Sequence, residues 1–396
     1  MNSQNEFSLS GLTELEDNIL PFWLSYAQAL YPSVIRANGS VESVWPKSTL
    51  LLCRLLWSFS ASYRVTKRAS YLTAATELFD FLYKHLFDGS FGPLKSTFTE
   101  NDVLCNVGKI PEEKASFICN TLVQSYAIYS FSEYFFVSNN SSAKHWADTL
   151  FLTLESSALT SVGVYVPDFD KSTSVTSLNV SCDSRVQLHV LEAYVNLYKT
   201  TGNVCVLTAI KQLLTLFTSK ILDEKTPYFI LYFDAMWRQS SYQISFGHNV
   251  ESAWLLVDSA NLFDDKKTQK IVADNLIYML NSTLSMQPKR NVGVINGIDE
   301  LGEYQTEKKW WVQAETLNCL LSAAKINDNN NYKKQVLYFW DFILLRFKDS
   351  LLGEWHTQLN MHLAPMKECN KVDEWRCPYH SVRTCLFVSN MLNDYN

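Results

Sequence analysis

Apolar residues along the chain recur at intervals of three and four positions in long blocks, and few segments alternate as strands do. These blocks predict a mainly helical protein. Polar and glycine-containing turns such as Asn139-Asn140-Ser141-Ser142 and Thr201-Gly202-Asn203 separate them. The pattern predicts twelve helices, at about 12–31, 47–67, 69–87, 114–137, 141–157, 185–201, 203–222, 247–262, 267–283, 310–326, 329–350 and 377–393.

The predicted helices form six pairs. Every second helix begins about 62 to 71 residues after the previous one, a period typical of stacked helical hairpins. No single pair covers its own apolar face, but six pairs do so by closing into a ring with one helix of each pair inside. The second helix is apolar nearly all round from Leu50 to Phe59, as an inner helix should be. We therefore expect an all-α barrel of paired helices.

Short strands are expected in the long connections of this barrel. Phe229–Phe233 is rich in β-prone residues, and the segment from Gly353 to Leu363 is a second candidate hairpin. No change of composition marks a linker, so we expect residues 1–396 to form a single domain.

Composition excludes several classes of protein. With 47% hydrophobic and 14% aromatic residues the chain can bury a large core, and most of its aromatic residues must fill that core. A net charge of -6 with mixed signs offers no basic surface for nucleic acid.

Three features predict a cytoplasmic protein. Residues 1–11 lack the basic start and apolar run of a signal peptide. We expect no apolar stretch to reach the roughly 18 to 20 residues of a membrane helix. The nine cysteines are scattered through apolar segments, which is typical of thiols in a reducing compartment.

Candidate chemistry lies near the starts of the even-numbered helices. Arg54 interrupts an apolar helix, so it needs an ion-pair partner or a ligand oxygen. Considered alone, His189, His248 and His380 each have an ordinary structural explanation, and Trp311 fits a core as well as a sugar platform. Together these five residues occupy the first turns of five alternate helices. The barrel would bring all five to the same end, which favours a functional site.

Two carboxylates accompany these residues. Glu251 follows His248 by three positions, so it shares a helix face and is expected to orient the imidazole. Glu315 lies one turn after Trp311, where it would support a sugar platform.

A metal site is disfavoured by the sequence. Cys369, Cys377, His380 and Cys385 cluster near the end of the chain, but their spacing fits no standard zinc pattern. His356 and His362 fit a solvated loop better than a metal centre. No glycine-rich phosphate loop is present, so we expect neither a metal nor a cofactor.

The segments that carry these residues resemble the N-acylglucosamine 2-epimerase superfamily, and within it the cellobiose and mannobiose 2-epimerases. The resemblance runs nearly end to end. It is carried by Asn18–Trp23, Arg54–Ser60, Leu188–Tyr194, Ser245–Leu256, Trp310–Glu315, and Trp375–His380 followed by Arg383.

The resemblance implies an (α/α)6 barrel that inverts C2 of the reducing-end sugar of a disaccharide without a cofactor, through ring opening and a cis-enediol. His248 and His380 would be the acid–base pair, since inversion needs a base on one face and an acid on the other. By the same resemblance Glu251 orients His248, and His189 assists ring opening or polarises the carbonyl. Arg54 would contact sugar oxygens and stabilise the enediolate. Trp311 and Trp375 would stack on sugar rings, with Trp254 and Glu315 supporting them.

Two positions depart from the family pattern. Arg185 replaces the usual Asn one turn before His189, and should add a cation to the same cavity. Leu122 replaces a Tyr two residues before Gln124, which removes a hydroxyl.

Three alternatives stay open. An aldose–ketose isomerase of the same superfamily would protonate the enediol at C1, and a sugar-binding homologue would lack turnover altogether. A glycoside hydrolase would need two facing carboxylates, for which Glu251 and Glu315 are the candidates. The expected partner is a small-molecule sugar, with no nucleic acid or membrane, and the protein is expected to be a monomer or weak homodimer.

Overall fold

The computed structural model describes residues 3–27, 31–42, 47–85, 94–95, 97–98, 118–170, 180–222, 226–288, 292–327 and 330–390. Twelve helices lie in these ranges, in the predicted order. The predicted start of the fourth helix and the predicted ends of the third and twelfth lie partly outside the described residues. The helices are α1 (Ser3–Glu14, continued by a π-turn at Leu15–Ile19 and by Leu20–Leu24), α2 (Thr49–Thr66), α3 (Ala69–His85), α4 (Thr121–Ser138), α5 (Ser141–Thr153, with a π-turn at Leu154–Ala158), α6 (Ser184–Thr201), α7 (Val204–Leu216, with a π-turn at Phe217–Ile221), α8 (Phe246–Ala260), α9 (Lys266–Ser285), α10 (Trp310–Ile326), α11 (Asn330–Arg346) and α12 (Tyr379–Asn390).

The even-numbered helices form a closed inner ring. Each packs against the next even-numbered helix, and α12 closes the ring by packing against α2. The odd-numbered helices lie outside, each against its neighbouring inner helix, with α1 against α12. Every residue of α2 from Thr49 to Ser62 is buried, as expected for an inner helix. The fold is therefore the predicted (α/α)6 barrel.

The first helix begins earlier than its sequence pattern predicts. It starts at Ser3 rather than near residue 12, because Phe7 and Ser8 bury themselves in spite of the polar sequence around them. Close packing against α12 adds to this. A Cβ at Gly11 would lie 2.8 Å from the carbonyl oxygen of Cys385, so only glycine permits this approach.

The expectation that no segment is long and apolar enough to cross a membrane was wrong for one helix. Val204–Ile221 passes that test by length and composition. It packs as an outer helix of the barrel, against α6 and α8.

The inner helices α2 to α10 each begin directly after a short strand. The strands are β3 (Lys47–Ser48), β5 (Ile118–Asn120), β7 (Cys182–Asp183), β9 (Ile244–Ser245) and β12 (Lys308–Lys309). They pair antiparallel with β4 (Thr97–Phe98), β6 (Asp168–Asp170), β8 (Tyr232–Phe233), β10 (Gly297–Ile298) and β13 (Gln358–Leu359). Two other pairs join β1 (Val34–Ile35) to β2 (Val41–Glu42), and β10 to β11 (Tyr304–Gln305).

This arrangement fixes where the helices start. In α2, α4, α6 and α8 the last strand residue is also the N-cap, and its side chain accepts a hydrogen bond from a first-turn N–H; the caps are Ser48, Asn120, Asp183 and Ser245. Short strands therefore occur in the long connections, as predicted. The partner of Gln358–Leu359, however, is Lys308–Lys309, so the segment from Gly353 to Leu363 is not a self-contained hairpin.

Glutamine side chains also anchor the N-terminal ends of three inner helices. The fourth residue of α4, α6 and α10 is a buried glutamine whose amide both accepts from and donates to the backbone of one residue in the preceding connection. The pairs are Gln124 with Leu94, Gln187 with Tyr165, and Gln313 with Val294. Because these clamps satisfy buried backbone groups, they fix the depth at which each helix begins.

The inner helices present side chains to the barrel axis in layers. Positions 2, 6 and 9 of each helix lie on one face, because these spacings follow the helical repeat. Position 2 is Leu122, Arg185, Gly247, Trp311 and His380 in α4 to α12. Position 6 is Arg54, Tyr126, His189, Glu251 and Glu315 in α2 to α10, and position 9 is Trp57, Tyr129, Glu192, Trp254 and Asn318 in the same helices.

Candidate active site

A cavity opens at the end of the barrel where the inner helices begin, and it is called the axial cavity below. Its volume is about 1140 Å³, including space at its mouth that is open to solvent. Its lining comes mostly from positions 2 and 6 of the inner helices and from the connections before them. The lining residues are Arg54, Leu122, Asp183, Arg185, Val186, His189, His248, Glu251, Trp310, Trp311, Trp375 and His380.

The structure brings eight of the ten predicted site residues to this cavity. The cavity is lined by all five residues that were predicted near the starts of alternate helices: Arg54, His189, His248, Trp311 and His380. Three others, Glu251, Arg185 and Trp375, line it as well. The departure from the family pattern at Leu122 also lies on its wall.

Two predicted substrate contacts lie elsewhere. Trp254 lines cavities at the opposite end of the barrel, because it occupies position 9 of α8. Glu315 is fully buried and does not line the axial cavity. Its carboxylate accepts a 2.9 Å hydrogen bond from Trp254 Nε1, so both residues support the site from below. Neither residue lines the axial cavity, so the supporting role predicted for them is the one that their position allows.

His380 pairs with Glu315 across two helices. The Nδ1 atom of His380 lies 2.7 Å from Oε1 of Glu315. A carboxylate only accepts hydrogen bonds, so in the neutral ring it holds the proton on Nδ1 and leaves the Nε2 lone pair free.

His189 has an equivalent partner on its own helix. Its Nδ1 lies 3.1 Å from Oε2 of Glu192 and 3.3 Å from the hydroxyl of Tyr126. The same hydroxyl accepts a 2.9 Å hydrogen bond from the Arg54 guanidinium. Arg54 and His189 are thus joined through one buried phenol.

His248 differs from the other two histidines. Its Nδ1 lies 2.7 Å from the hydroxyl of Ser245, the N-cap of α8. Glu251 does not hydrogen-bond this ring; its carboxylate accepts from Arg383 at 2.8 Å. The expectation that Glu251 orients His248 was therefore wrong, although the two groups lie within 4.8 Å of each other. Ser245 contacts the ring instead, because strand β9 holds this N-cap residue beside the imidazole.

Arg383 is the hub beneath the cavity. It is buried and donates to Glu251 at 2.8 Å and to Glu315 at 2.7 Å. A third glutamate, Glu192, also accepts a hydrogen bond from Arg383. The hydroxyl of Tyr379 accepts from Arg383 and donates to Glu192. One cation therefore joins three carboxylates from three inner helices.

The environment keeps the imidazoles of His248 and His380 neutral. Burial lowers the pKa of His380 to about 4, although the hydrogen bond that His380 donates to Glu315 acts in the opposite direction. Burial also lowers the pKa of His248 well below 6.5, and the charges of His189, Arg185 and His380 lower it further.

The three carboxylates are split into different protonation states. Burial and the negative charge of Glu315 raise the pKa of Glu251 to about 7, although Arg383 acts against them. Burial raises the pKa of Glu315 and Glu192 as well, but Arg383 and the paired histidine together outweigh it and lower the pKa of each to about 2. Near neutral pH, Glu251 is thus the carboxyl group that carries an exchangeable proton.

Trp311 contacts both members of the predicted acid–base pair. Its ring centroid lies 5.0 Å from that of His248 and 5.7 Å from that of His380. A Cβ at Gly247 would overlap the Trp311 ring, so glycine at position 2 of α8 makes room for it.

Arg185 is held at the cavity wall by a fixed set of partners. Its guanidinium donates to both carboxylate oxygens of Asp183, at 3.0 and 2.7 Å, and also contacts the hydroxyl of Tyr232. The predicted cation is present, but an adjacent carboxylate balances its charge.

Two groups of residues come close enough to bind a metal ion. Their ligand atoms lie within 4.8 Å of one another in His189, His248 and Glu251, and in Glu251, Glu315 and His380. In the second group Arg383 already donates to both carboxylates, so a guanidinium stands where a cation would bind. Neither group includes any of the cysteines considered for zinc.

No role was predicted from the sequence for Tyr126, Glu192, Ser245 or Arg383. A usable signal existed, because Tyr126 and Glu192 occupy positions 6 and 9 of their inner helices. Aligning the helices by position would have found both. Arg383 lies at position 5 of α12, so only the packing of three glutamates around it reveals its role.

Comparison with known proteins agrees with this geometry. The model of the N-acylglucosamine 2-epimerase (GlcNAc 2-epimerase) family matches residues 31–382. A cellobiose 2-epimerase of Dictyoglomus turgidum is 27% identical over 390 residues, which cover 94% of this chain and 96% of that protein. A cellobiose 2-epimerase of Bacteroides fragilis is 27% identical over 401 residues, with the same coverage.

A solved structure supports the same relationship. Cellobiose 2-epimerase from Bacillus thermoamylovorans superposes with a TM-score of 0.86 and 25% identity, over 98% of this chain and 100% of that one. The family description and the names of these relatives indicate a carbohydrate epimerase, an enzyme of the isomerase class. The chain therefore belongs to the N-acylglucosamine 2-epimerase family.

Proposed function

We propose that the protein inverts C2 of the reducing-end sugar of a disaccharide, through ring opening, proton transfer by two histidines and a cis-enediol intermediate. The observation that carries this proposal is that His248 and His380 face one cavity and contact the same tryptophan, Trp311. Inversion at a carbon next to a carbonyl needs an acid and a base on opposite faces of that carbon.

In the proposed reaction the open-chain sugar loses its C2 proton to the Nε2 lone pair of one imidazole. The electron pair of the C–H bond forms the C1–C2 double bond, and the carbonyl oxygen becomes an enediolate. The other imidazole returns a proton to the opposite face of C2, and the carbonyl reforms. His380 is suited to begin as the base, because Glu315 holds its proton on Nδ1 and stabilises the imidazolium that results.

Returning a proton requires a donor, and the low pKa values of both imidazoles leave them neutral. Glu251 meets this need, because its pKa is raised to about 7 and it lies within 4.8 Å of each histidine. We assign Glu251 the role of the proton source for the acid, in place of the orienting role predicted from its spacing.

Arg54 is suited to stabilise the enediolate. It is buried, and the partners of its guanidinium are neutral: the Tyr126 hydroxyl, the carbonyl of Trp375 and the thiol of Cys377. A buried cation without a hydrogen-bonded acid gains most from charge that develops only during the reaction. His189, joined to Arg54 through Tyr126, is assigned to ring opening, where a proton moves from the C1 hydroxyl to the ring oxygen.

The aromatic residues support a substrate of two sugar rings. Trp311 lies beside the histidines, where the reacting ring must bind, whereas Trp375 is 51% exposed at the cavity wall. A second ring extending outward would stack on Trp375. Replacing Trp375 with alanine should therefore raise KM for disaccharides and leave KM for monosaccharides nearly unchanged.

The function is tested by incubating the protein in D₂O with cellobiose, mannobiose, glucose and N-acetylglucosamine, and following the products by NMR. An epimeric disaccharide that carries deuterium at C2 is the expected result. A ketose product would instead identify an aldose–ketose isomerase. Sugar binding without conversion would identify a binding protein.

Matched variants localise the chemistry. His248→Asn and His380→Asn should each lower kcat by about a hundredfold or more, the range for loss of a general acid or base. His145→Asn, on the exposed face of outer helix α5, is the control and should leave kcat unchanged. Retention of activity by either cavity variant would overturn the two-histidine mechanism. A glycoside hydrolase is disfavoured because Glu251 and Glu315 are both hydrogen-bonded to Arg383.

A further inference from the structure

The three histidines of the axial cavity have chemically different partners on Nδ1. Glu192 faces the Nδ1 atom of His189 and Glu315 faces that of His380, whereas the hydroxyl of Ser245 faces that of His248. A carboxylate is only an acceptor, but a hydroxyl donates as well as accepts. The nitrogen that carries the proton is therefore fixed in two of these rings and free to change in the third.

Ser245 is held firmly beside the ring. Its backbone belongs to strand β9 and pairs with Gly297 of β10, and its side chain caps α8 by accepting from the backbone N–H of His248 at 3.5 Å. The edge of Trp311 restrains the imidazole itself. Because the oxygen accepts from the backbone N–H, its hydrogen is available to Nδ1.

We propose that Ser245 is a positioning residue that allows His248 to carry its proton on either ring nitrogen during the reaction. When the hydroxyl donates to Nδ1, the ring presents Nε2–H to a sugar oxygen. When the hydroxyl turns and accepts from Nδ1–H, the Nε2 lone pair takes the C2 proton, and the resulting imidazolium returns it to C2 in the reverse direction. This inference rests on the two-histidine function proposed above.

The choice of a hydroxyl also matters for charge. Facing His248 are His189 and Arg185 from α6, Glu315 from α10 and His380 from α12, with Glu251 on its own helix. Burial and the charge of Arg185 already disfavour the imidazolium, and a neutral hydroxyl adds no opposing charge. A carboxylate in place of Ser245 would both fix the proton on Nδ1 and favour the imidazolium.

Three substitutions separate these effects. Ser245→Thr keeps the hydroxyl and the cap, and should retain kcat within about threefold. Ser245→Ala removes both, and should lower kcat by about ten- to a hundredfold with little change in KM, the range seen when the second partner of a functional histidine is lost. Ser245→Asp keeps the cap but fixes Nδ1–H, and should move the acid limb of kcat/KM upward by about one to three pH units.

A matched control isolates the loss of the cap. Ser48 caps α2 by the same geometry, with its hydroxyl accepting from the backbone N–H of Leu51. Ser48→Ala should therefore destabilise the protein about as much as Ser245→Ala, without the loss of kcat.

The tautomer can also be observed without turnover, by ¹⁵N NMR of histidine-labelled protein. The His248 ring should show protonation of either nitrogen in the wild type, and of Nδ1 alone in Ser245→Asp. Identical ¹⁵N shifts in the two proteins, or an unmoved acid limb, would overturn the role of Ser245. A wild type that never exchanges deuterium at C2 would instead overturn the proposed function, while the NMR result still decides the tautomer.

Discussion

Replacing Glu315 with glutamine removes one charge beneath His380 while keeping the size of the side chain. Each carboxylate oxygen serves two donors: Oε1 accepts from His380 and Arg383, both at 2.7 Å, and Oε2 accepts from Trp254 at 2.9 Å and Asn318 at 3.3 Å. An amide has one oxygen and one NH₂ group. In either orientation the NH₂ group of the glutamine therefore takes the place of an oxygen that accepts two hydrogen bonds, and it faces two donors.

The size of the effect follows from the hydrogen bond that is lost. A hydrogen bond to a charged group contributes about 1.5 to 3 kcal/mol. This bond strengthens when His380 becomes an imidazolium, so most of its loss should appear in the transition state. At about 1.4 kcal/mol for each tenfold change in rate, kcat should fall about 10- to 100-fold. KM should change little, because Glu315 does not line the cavity.

The assay is initial-rate epimerisation with thermal unfolding measured in parallel. Glu14 offers a close control, because it is also a buried glutamate that accepts from a Trp, an Asn and a cation: Trp355, Asn18 and Lys348. Glu14→Gln should lower Tm without lowering kcat. If Glu315→Gln keeps kcat within twofold of the wild type, the carboxylate does not support the imidazolium.

Three further changes test other parts of the site. Activity should fall as pH rises through about 7, because Glu251 with its raised pKa must be protonated, and Glu251→Gln should remove this alkaline limb; a limb that persists unchanged in that variant would exclude Glu251 as its source. Gly247→Ala should lower kcat by at least tenfold through displacement of Trp311, with the indole fluorescence changing in parallel; normal kcat together with altered fluorescence would show that the ring position is unimportant. Tyr126→Phe leaves the buried guanidinium of Arg54 without its phenol acceptor, and should lower the rate on cyclic sugars more than on an open-chain analogue; equal losses would exclude a role in ring opening.

Most of the fold could be predicted from the chain because its helices are long and their apolar pattern is strong. The main error, the start of the first helix, arose where burial of Phe7 outweighed a polar local sequence. The phase of the helix pairs was enough to bring Arg54, His189 and His380 to one cavity. The position of a residue counted from the start of its inner helix determines how deep its side chain lies along the barrel axis. That position can be predicted from the sequence.

Partners that join different helices could not be predicted in this way. Spacing favoured Glu251 as the partner of His248, since the two lie three residues apart. In the structure Arg383 from α12 takes that carboxylate, and the N-cap Ser245 takes the ring. Helical spacing shows which side chains share a face of one helix. Whether a cation from another helix binds one of those side chains instead depends on how the helices pack. Glu315 likewise pairs with His380 on another helix, a contact that its spacing from Trp311 could not predict.

In the proposed mechanism, the layers of the barrel partly separate substrate contact from proton transfer, although His380 shares position 2 with residues of the cavity wall. The two departures from the family pattern, Leu122 and Arg185, both occupy position 2 and line the axial cavity, where we propose that the sugar binds. The groups that set protonation, such as Glu251, lie one turn deeper. Substrate contacts can therefore change while the deeper layer is kept. Arg185 also affects the proposed acid–base pair, because its charge adds to the effect of burial in lowering the pKa of His248, at position 3 of α8. The pairing of Arg185 with Asp183 limits this effect, because the carboxylate compensates part of the guanidinium charge. A substitution at position 2 therefore alters the acid–base pair only through the part of the charge that Asp183 leaves uncompensated.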